Sequence, residues 1–244
     1  KQKVLNPLQS VQGNLTGVTV VSSDAPGSQP SFIIRGANSL VDRENKPLFV
    51  VDGIRQNNIN NLNSSNIESI EVLKDASALA IYGNEASNGV VIITTKKTKG
   101  DLVVSVDSYV GLRTPLKIVE MAPSNLYAQY TNLANKTVLL SQDQPVNTNW
   151  INEVVRMGQY SNIDLNLSGS SEKHTYSFNV NNYEETSIVG AKYSRVTARL
   201  YNDFKITDKL KLTASLNSGF TNQTAKDAGK ITDAYKMPSI VPVY

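Results

Sequence analysis

The chain has 244 residues, 40% hydrophobic and 18% charged, with no cysteine and one histidine. That apolar fraction can fill a core, so the chain is expected to fold. Without thiols or a second imidazole, a disulfide framework, a thiolate metal site, a cysteine nucleophile and a multi-histidine metal centre are all excluded. The 24 Lys and Arg against 21 Asp and Glu leave a net charge of +3, too little to point to nucleic acid.

The longest purely apolar runs, such as Val90 to Ile93, fall far short of the roughly 18 residues of a membrane helix. A spanning β-strand needs only about 9 to 11 residues of alternating character, so that route stays open. Lys1-Gln2-Lys3 does not lead into an apolar signal-peptide core, and the sequence reads as a processed chain or a cut piece.

Residues 1–100 are predicted to form one small α+β domain. Its apolar residues come in dense blocks, Val18 to Val21, Phe32 to Ile34, Leu48 to Val51, Ile70 to Leu73 and Val90 to Ile93, the pattern of strands buried on both faces. Turn signals separate them at Ala25-Pro26-Gly27, Gly36, Asp52-Gly53 and the Asn-rich stretch Asn57 to Asn66. Asp75 to Tyr82 has helical character, with an acidic start and Gly83 as its stop.

Residues 101–244 change to a two-residue period, repeated five times. Leu102, Val104, Val106 and Val110 share one face of the first stretch. Ile163, Leu165 and Leu167 oppose Asn162, Asp164, Asn166 and Ser168 in the second; Tyr176, Phe178 and Val180 oppose Thr175, Ser177, Asn179 and Asn181 in the third. Val196, Ala198, Leu200, Phe204 and Ile206 oppose Arg195, Thr197, Arg199, Tyr201, Asp203 and Lys205 in the fourth. Leu210, Leu212, Ala214, Leu216 and Phe220 oppose Lys209, Lys211, Thr213, Ser215 and Asn217 in the fifth.

A soluble β-sandwich and a membrane barrel both produce this alternation. Short connections at Gly169 to Lys173 and Thr207-Asp208, with longer ones expected at Leu112 to Ser161 and Glu184 to Lys192, match the alternating short turns and long loops of outer-membrane barrels. On that reading the first strand runs outward and the preceding domain enters from the periplasmic end. Five strands cannot close a barrel, because open edges in hydrocarbon leave backbone groups unpaired, so a truncated chain is expected.

Four segments taken in order resemble the plug of SusC/RagA-type TonB-dependent outer-membrane transporters. They are Ile33-Ile34-Arg35-Gly36, Pro47 to Gly53, Ile67 to Gly83 and Asn88 to Lys97, with Leu8 to Val18 similar to the start of the same plug. Asn149-Trp150, the Gly169 to Lys173 turn and Pro238 to Tyr244 are similar to the family's early barrel. The resemblance implies an α+β plug inside a transmembrane β-barrel of about 22 strands, of which about the first five are in this sequence. It also implies import of a glycan or oligopeptide across the outer membrane of a Gram-negative bacterium, with no cofactor, metal or catalytic residue. The implied partners are the TonB–ExbB–ExbD complex, a SusD-like surface lipoprotein and outer-membrane lipid. No TonB box is recognised before Leu8, so this chain alone is expected not to transport. Asn84-Glu85 stand where the family usually has a serine and an arginine.

The residues singled out in the plug are Arg35, Gly36, Asp52, Gly53, Glu68, Glu71, Lys74, Asp75, Tyr82, Gly83 and Gly89. Arg35 follows a dense strand and needs a partner, either a barrel-wall carboxylate or an ordinary ion pair. Asp52-Gly53 is expected to be a turn closing a buried strand, and Glu68, Glu71, Lys74 and Asp75 to be solvated or ion-paired. Gly36, Gly83 and Gly89 are expected to serve backbone geometry. Loops at Ala37 to Lys46 and Ile54 to Asn66 are candidates for substrate contact, and Asp42, Glu44 and Asn45 could ligate a cation but are more simply solvated. Tyr109, Tyr160, Tyr176, Tyr183 and Tyr193 fit an aromatic girdle or cross-strand packing. Two rivals remain: a soluble periplasmic binding or signalling module with a sandwich, and a hydrolase built from His174, Ser170 or Ser171, and Asp164.

Overall fold

The structure is a computed structural model that describes residues 18–21, 26–28, 31–34, 46–56, 59, 62–74, 80–98, 100–224 and 230–243. The chain divides into two compact units, Lys1–Tyr109 with Asn162–Tyr183 and Arg195–Thr221, and Val110–Ser161 with Glu184–Ser194 and Asn222–Tyr244.

In the first unit, β1 (Val18–Val21) and β2 (Ser31–Ile34) form an antiparallel ribbon. A four-stranded sheet follows, made of β3 (Leu48–Val51), β4 (Ile54–Gln56), β5 (Ile67–Leu73) and β6 (Val90–Thr95) in the order β4-β3-β6-β5. β3 and β6 lie parallel at its centre, Leu48 opposite Val90 through Val51 opposite Ile93. One face packs Phe49, Val51, Val91 and Ile93 against Val20, Ile34, Ile59 and Leu62. The other packs Val50 and Val90 against Ala86, with Tyr82 beside them. Burial on both faces is why these two strands read as unbroken apolar blocks.

β3 turns into β4 through Asp52 and Gly53 alone, with φ of 50° and 84°. Two positive φ values in a two-residue hairpin make a type I′ turn, which Asp-Gly favours. β5 carries a bulge: Ile67 and Ser69 pair with consecutive residues Thr95 and Thr94, leaving Glu68 unpaired and exposed. Residues 80–82 are helical and run into a 3-10 turn over Gly83–Ala86.

Beyond Gly100 come β7 (Val103–Arg113), β8 (Gly158–Ser170), β9 (His174–Thr186), β10 (Lys192–Lys205) and β11 (Lys211–Thr224). They form an antiparallel meander in the order β11-β10-β9-β8-β7, five strands as the periodicity predicted, and the sheet does not close. Its burial is inverted relative to a water-soluble sheet. The apolar faces are open, with Val106 67%, Leu216 67% and Phe220 73% exposed. The polar faces are covered, with Asn181 1%, Asp164 3% and Arg195 7% exposed. A soluble sandwich buries its apolar faces, so that rival is set aside.

Connections differ from expectation at one place. The β9–β10 link is only residues 187–191, no longer than the β10–β11 link at 206–210. Both strands stay extended through Glu184 to Thr186 and Lys192 to Ser194, where the apolar alternation has ended and a loop was expected. The long link is residues 114–157, which carries α1 (Ser124–Asn135) and α2 (Trp150–Val154) in the second unit. α1 ends at Lys136, whose left-handed φ of 54° turns its N–H back to Asn132 and Leu133. The Asn149 side chain caps α2 at Asn152 N. α3 (Lys230–Lys236) leads into a segment stitched to the start of α2, with Trp150 Nε1 donating to the Pro238 carbonyl at 3.0 Å and Thr148 N to the Ser239 carbonyl at 2.8 Å.

Gly83 and Gly89 separate two costs. Both have positive φ, 71° and 88°, but a Cβ on Gly83 meets nothing within 4 Å, whereas one on Gly89 lies 2.7 Å from Ile34 Cδ1 and 3.1 Å from the Leu73 carbonyl. Gly83→Ala is expected to cost about 1 kcal/mol from the backbone alone. Gly89→Ala is expected to cost about 2 kcal/mol or more. Hydrogen exchange of the β3 and β6 amides in rising urea measures both, and equal effects would refute the steric part.

Candidate functional site

In the first unit the four-stranded sheet and its flanking segments meet the polar faces of β8 and β10, and the contacts among the described residues are hydrogen bonds, one ion pair and a lysine over a tyrosine ring. The Asp52 carboxylate accepts from Thr95 N at 3.0 Å and Thr95 Oγ1 at 2.7 Å, which ties the β3–β4 turn to the end of β6. Arg199 of β10 completes it, its Nη2 2.5 Å from Asp52 Oδ2. Both side chains are nearly dry, 9% exposed for Arg199 and 1% for Asp52. A buried pair of this kind is held by its partners, because removing either leaves an uncompensated charge.

A second contact lies alongside. Asn63 Nδ2 donates to Asp164 Oδ2 at 2.7 Å, and Asn179 Nδ2 donates to Asp164 Oδ1 at 3.0 Å. The next pair of residues along the ladder repeats the arrangement, Asn181 Nδ2 donating to Asn162 Oδ1 at 2.7 Å. Lys97 donates to the Tyr201 hydroxyl at 3.1 Å with its Nζ over the ring, and Tyr201 continues to Asp203 and thence to Lys211 at 2.8 Å. Thr98 and Ser168 join by their hydroxyls, and Ser170 N donates to the Gly100 carbonyl.

Of the residues singled out from sequence, Asp52 and Gly53 form the β3–β4 turn, and Asp52 is also the centre of the ion pair. Glu68 and Glu71 are exposed on β5, with Lys74 just beyond it. Tyr82 packs against the Val50 side of the core. Gly83 opens the 3-10 turn and Gly89 leads into β6. Arg35, Gly36 and Asp75 lie outside the described residues, as do Asp42, Glu44 and Asn45. Glu85, at the departure from the family pattern, pairs with Arg55 at 2.8 Å in the open, a contact worth little on its own.

One sequence expectation changes, one rival is set aside, and the girdle alternative for the tyrosines gives way to packing within the polar face. Ile54 to Asn66 is not an open loop: Ile54–Gln56 is strand β4, Ile59 and Leu62 are core residues, and Asn63 is bonded to Asp164. The hydrolase set is not assembled, since His174 Nε2 meets Asn202 Oδ1 at 3.1 Å with its ring stacked on Phe204, while Asp164 is occupied by two asparagines. Tyr183 and Tyr193 are buried on the polar face, and Tyr109 and Tyr160 share its parity. Of the five tyrosines only Tyr176 sits on the apolar face. The sequence marks Arg199 only as a polar-face residue, and no local pattern links it to a turn 147 residues away.

Residues 1–90 match the family model described as the TonB-dependent Receptor Plug Domain. The chain is similar to TonB-dependent receptor P26 of Formosa agariphila, 32% identical over 232 residues that cover 88% of this chain and 23% of that protein. It is also similar to TonB-dependent receptor SusC of Bacteroides thetaiotaomicron, 30% identical over 255 residues, 98% of this chain and 25% of that protein. Its fold is similar to one in the structure of the RagAB peptide importer in the closed-closed state, with a TM-score of 0.79 at 24% identity, over 93% of this chain and 30% of that one. These matches support a fragment of a SusC/RagA-type TonB-dependent transporter. The chain spans about a quarter of the length of the curated relatives it matches.

Within this transporter family the four-stranded sheet is plug and β7–β11 are wall, so Asp52 and Arg199 tie the two together. Asp52→Asn or Arg199→Met alone is expected to destabilise the plug by about 3 kcal/mol, by stranding the other charge. The double replacement is expected to recover more than half of the summed loss. Hydrogen exchange of β3 and β6 across the four-member cycle checks this, and additive losses would mean that the two groups do not act as a pair.

Proposed function

We propose that the whole protein imports a nutrient, a glycan or an oligopeptide, across the outer membrane, with residues 1–100 as its gate and residues 101–244 as the opening part of its wall. The observation that supports this most is the inverted burial of β7–β11: apolar residues face outward, and the covered polar face is hydrogen-bonded to the plug. A polar contact suits a gate, because each neutral hydrogen bond contributes only about 1 kcal/mol net when water can replace it. Pulling from the periplasm by the TonB–ExbB–ExbD complex then has to break few strong contacts, of which the Asp52–Arg199 pair is the chief one among the described residues. A SusD-like lipoprotein closes the outer mouth over bound substrate. Arg35 serves as a second plug charge for a wall carboxylate, and Gly36, Gly53, Gly83 and Gly89 fix the turns that hold the plug strands in place. The relatives named SusC and RagAB support this reading, the latter described as a peptide importer.

A reversible lock tests it. The chain has no cysteine, so Asn63→Cys with Asp164→Cys places two thiols across the plug–wall contact for a short bis-methanethiosulfonate linker, which forms a reducible disulfide at each end by displacing methanesulfinate. Uptake by cells carrying the whole protein is expected to fall to about a tenth or less when linked, a loss equal to freezing most of the population, and to return on reduction. Single-cysteine variants treated alike are expected to transport normally. Undiminished uptake with the link formed would sink the gate.

A further inference from the structure

The second unit holds a cavity of about 390 Å³ that none of the contacts above explains. Nine of its twelve lining residues alternate along the strands, Val110, Gln159 and Ser161, Glu184 and Thr186, Lys192 and Ser194, Asn222 and Thr224, with Tyr160, Glu185 and Tyr193 between them. Residues two apart in a strand point to the same side, so those nine share one face, and Tyr160, Glu185 and Tyr193 belong to the other. In β10 the alternation of covered and open residues runs unbroken from Lys192 to Tyr201. Lys192 and Ser194 therefore share the face of Val196, Ala198 and Leu200. By the same count Gln159 and Ser161 share the face of Ile163, and Glu184 and Thr186 that of Phe178 and Val180. Most of the lining thus belongs to the outward-facing side of the strands.

Its level along the strands follows from their length. The apolar face of β10 and its turn runs from Val196 to Ile206; at about 3.3 Å per residue and a tilt near 40° this spans about 25 Å, the height of the lipid-facing band of a barrel. Ser194 and Lys192 are the next two outward-facing residues, which sets them in the headgroup layer. The lining then tells which headgroup. Its outward-facing residues offer two amides, four hydroxyls, one carboxylate and one ammonium, beside the phenols of Tyr160 and Tyr193 and the Glu185 carboxylate that Arg113 holds at 2.9 Å, with no cluster of arginine or lysine to hold a phosphate.

We propose that this cavity binds the saccharide headgroup of an outer-leaflet glycolipid. The inference rests on the reading of these strands as an outer-membrane wall. Amides and hydroxyls pair with sugar hydroxyls in both directions, and the opposed charges of Glu184 and Lys192 favour a neutral ligand.

The test uses the whole protein purified from outer membranes in a sugar-free polyoxyethylene detergent, with dodecyl maltoside added below its micelle concentration and retained adducts counted by native mass spectrometry. Ser194→Trp, which fills the cavity, and Gln159→Leu with Asn222→Leu, which removes its amides at similar size, are each expected to lower retention about tenfold, the loss of one or two hydrogen bonds. The leucine pair carries the test if the tryptophan variant fails to reach the membrane. Equal retention in wild type and variants would overturn the proposal. Free maltose binding as well as dodecyl maltoside would move the site to a soluble sugar, and preference for dodecyl phosphate would exclude a saccharide; either overturns it. Absence of the protein from the outer membrane would instead strike at the wall reading beneath it.

Discussion

Asparagines, aspartates and arginines on the inner faces of β8 to β10 must be hydrogen-bonded once they leave water, and the strands that carry them cannot supply every partner. An unpaired buried carboxylate or guanidinium costs far more than a hydrogen bond returns. The plug answers this need. Asn63 reaches Asp164 and Asp52 reaches Arg199, while Asn179 and Asn181 cover the ladder between them. Lipid imposes the complementary demand outside, where Val106, Leu216 and Phe220 have nothing to hide from. The four-stranded sheet has an ordinary dry core, with Val90, Val91 and Ile93 fully buried, and it can therefore keep its shape while its rim is given over to polar contact.

How much of this could be read from sequence depended on how local the cause was. Dense blocks against strict alternation separated the two kinds of strand, because burial on two faces or one acts on consecutive residues. Asp52-Gly53 gave its turn away, since only a few residue types accept positive φ twice running. The five strands of the meander appeared with the expected count, while β8, β9 and β11 run about four or five residues past the alternation at one end. Alternation carries no sign, however: Leu212 opposite Thr213 is the same pattern whether leucine faces a core or a membrane.

The misses share a cause. Glu184 to Thr186 and Lys192 to Ser194 lost their apolar partners and so looked like loop, yet the ladder between β9 and β10 continued without them. The tyrosines were placed by nearness to strand ends, whereas side was what mattered, and the odd-numbered Tyr183 and Tyr193 fell on the polar side. Helix α1 has no strong apolar stripe, so nothing in its pattern sets it apart from the long link that carries it. The tie between Asp52 and Arg199 depends on a fold that brings distant segments together, and a single sequence holds no trace of that distance.

The composition of the plug–wall contact has a mechanical consequence. Surfaces joined by aliphatic side chains resist sliding, because each step bares apolar area to water. Amides and hydroxyls do not: as Asn63 leaves Asp164, a water molecule can take its place, and the surfaces slip past one another as a wetted bearing does. Friction in such a bearing is set by its few fully charged points. Among the described residues the salt link at the β3–β4 turn joins opposite charges across the contact, so under the proposed pull the load at which the plug first yields should track that one contact rather than the area of the whole.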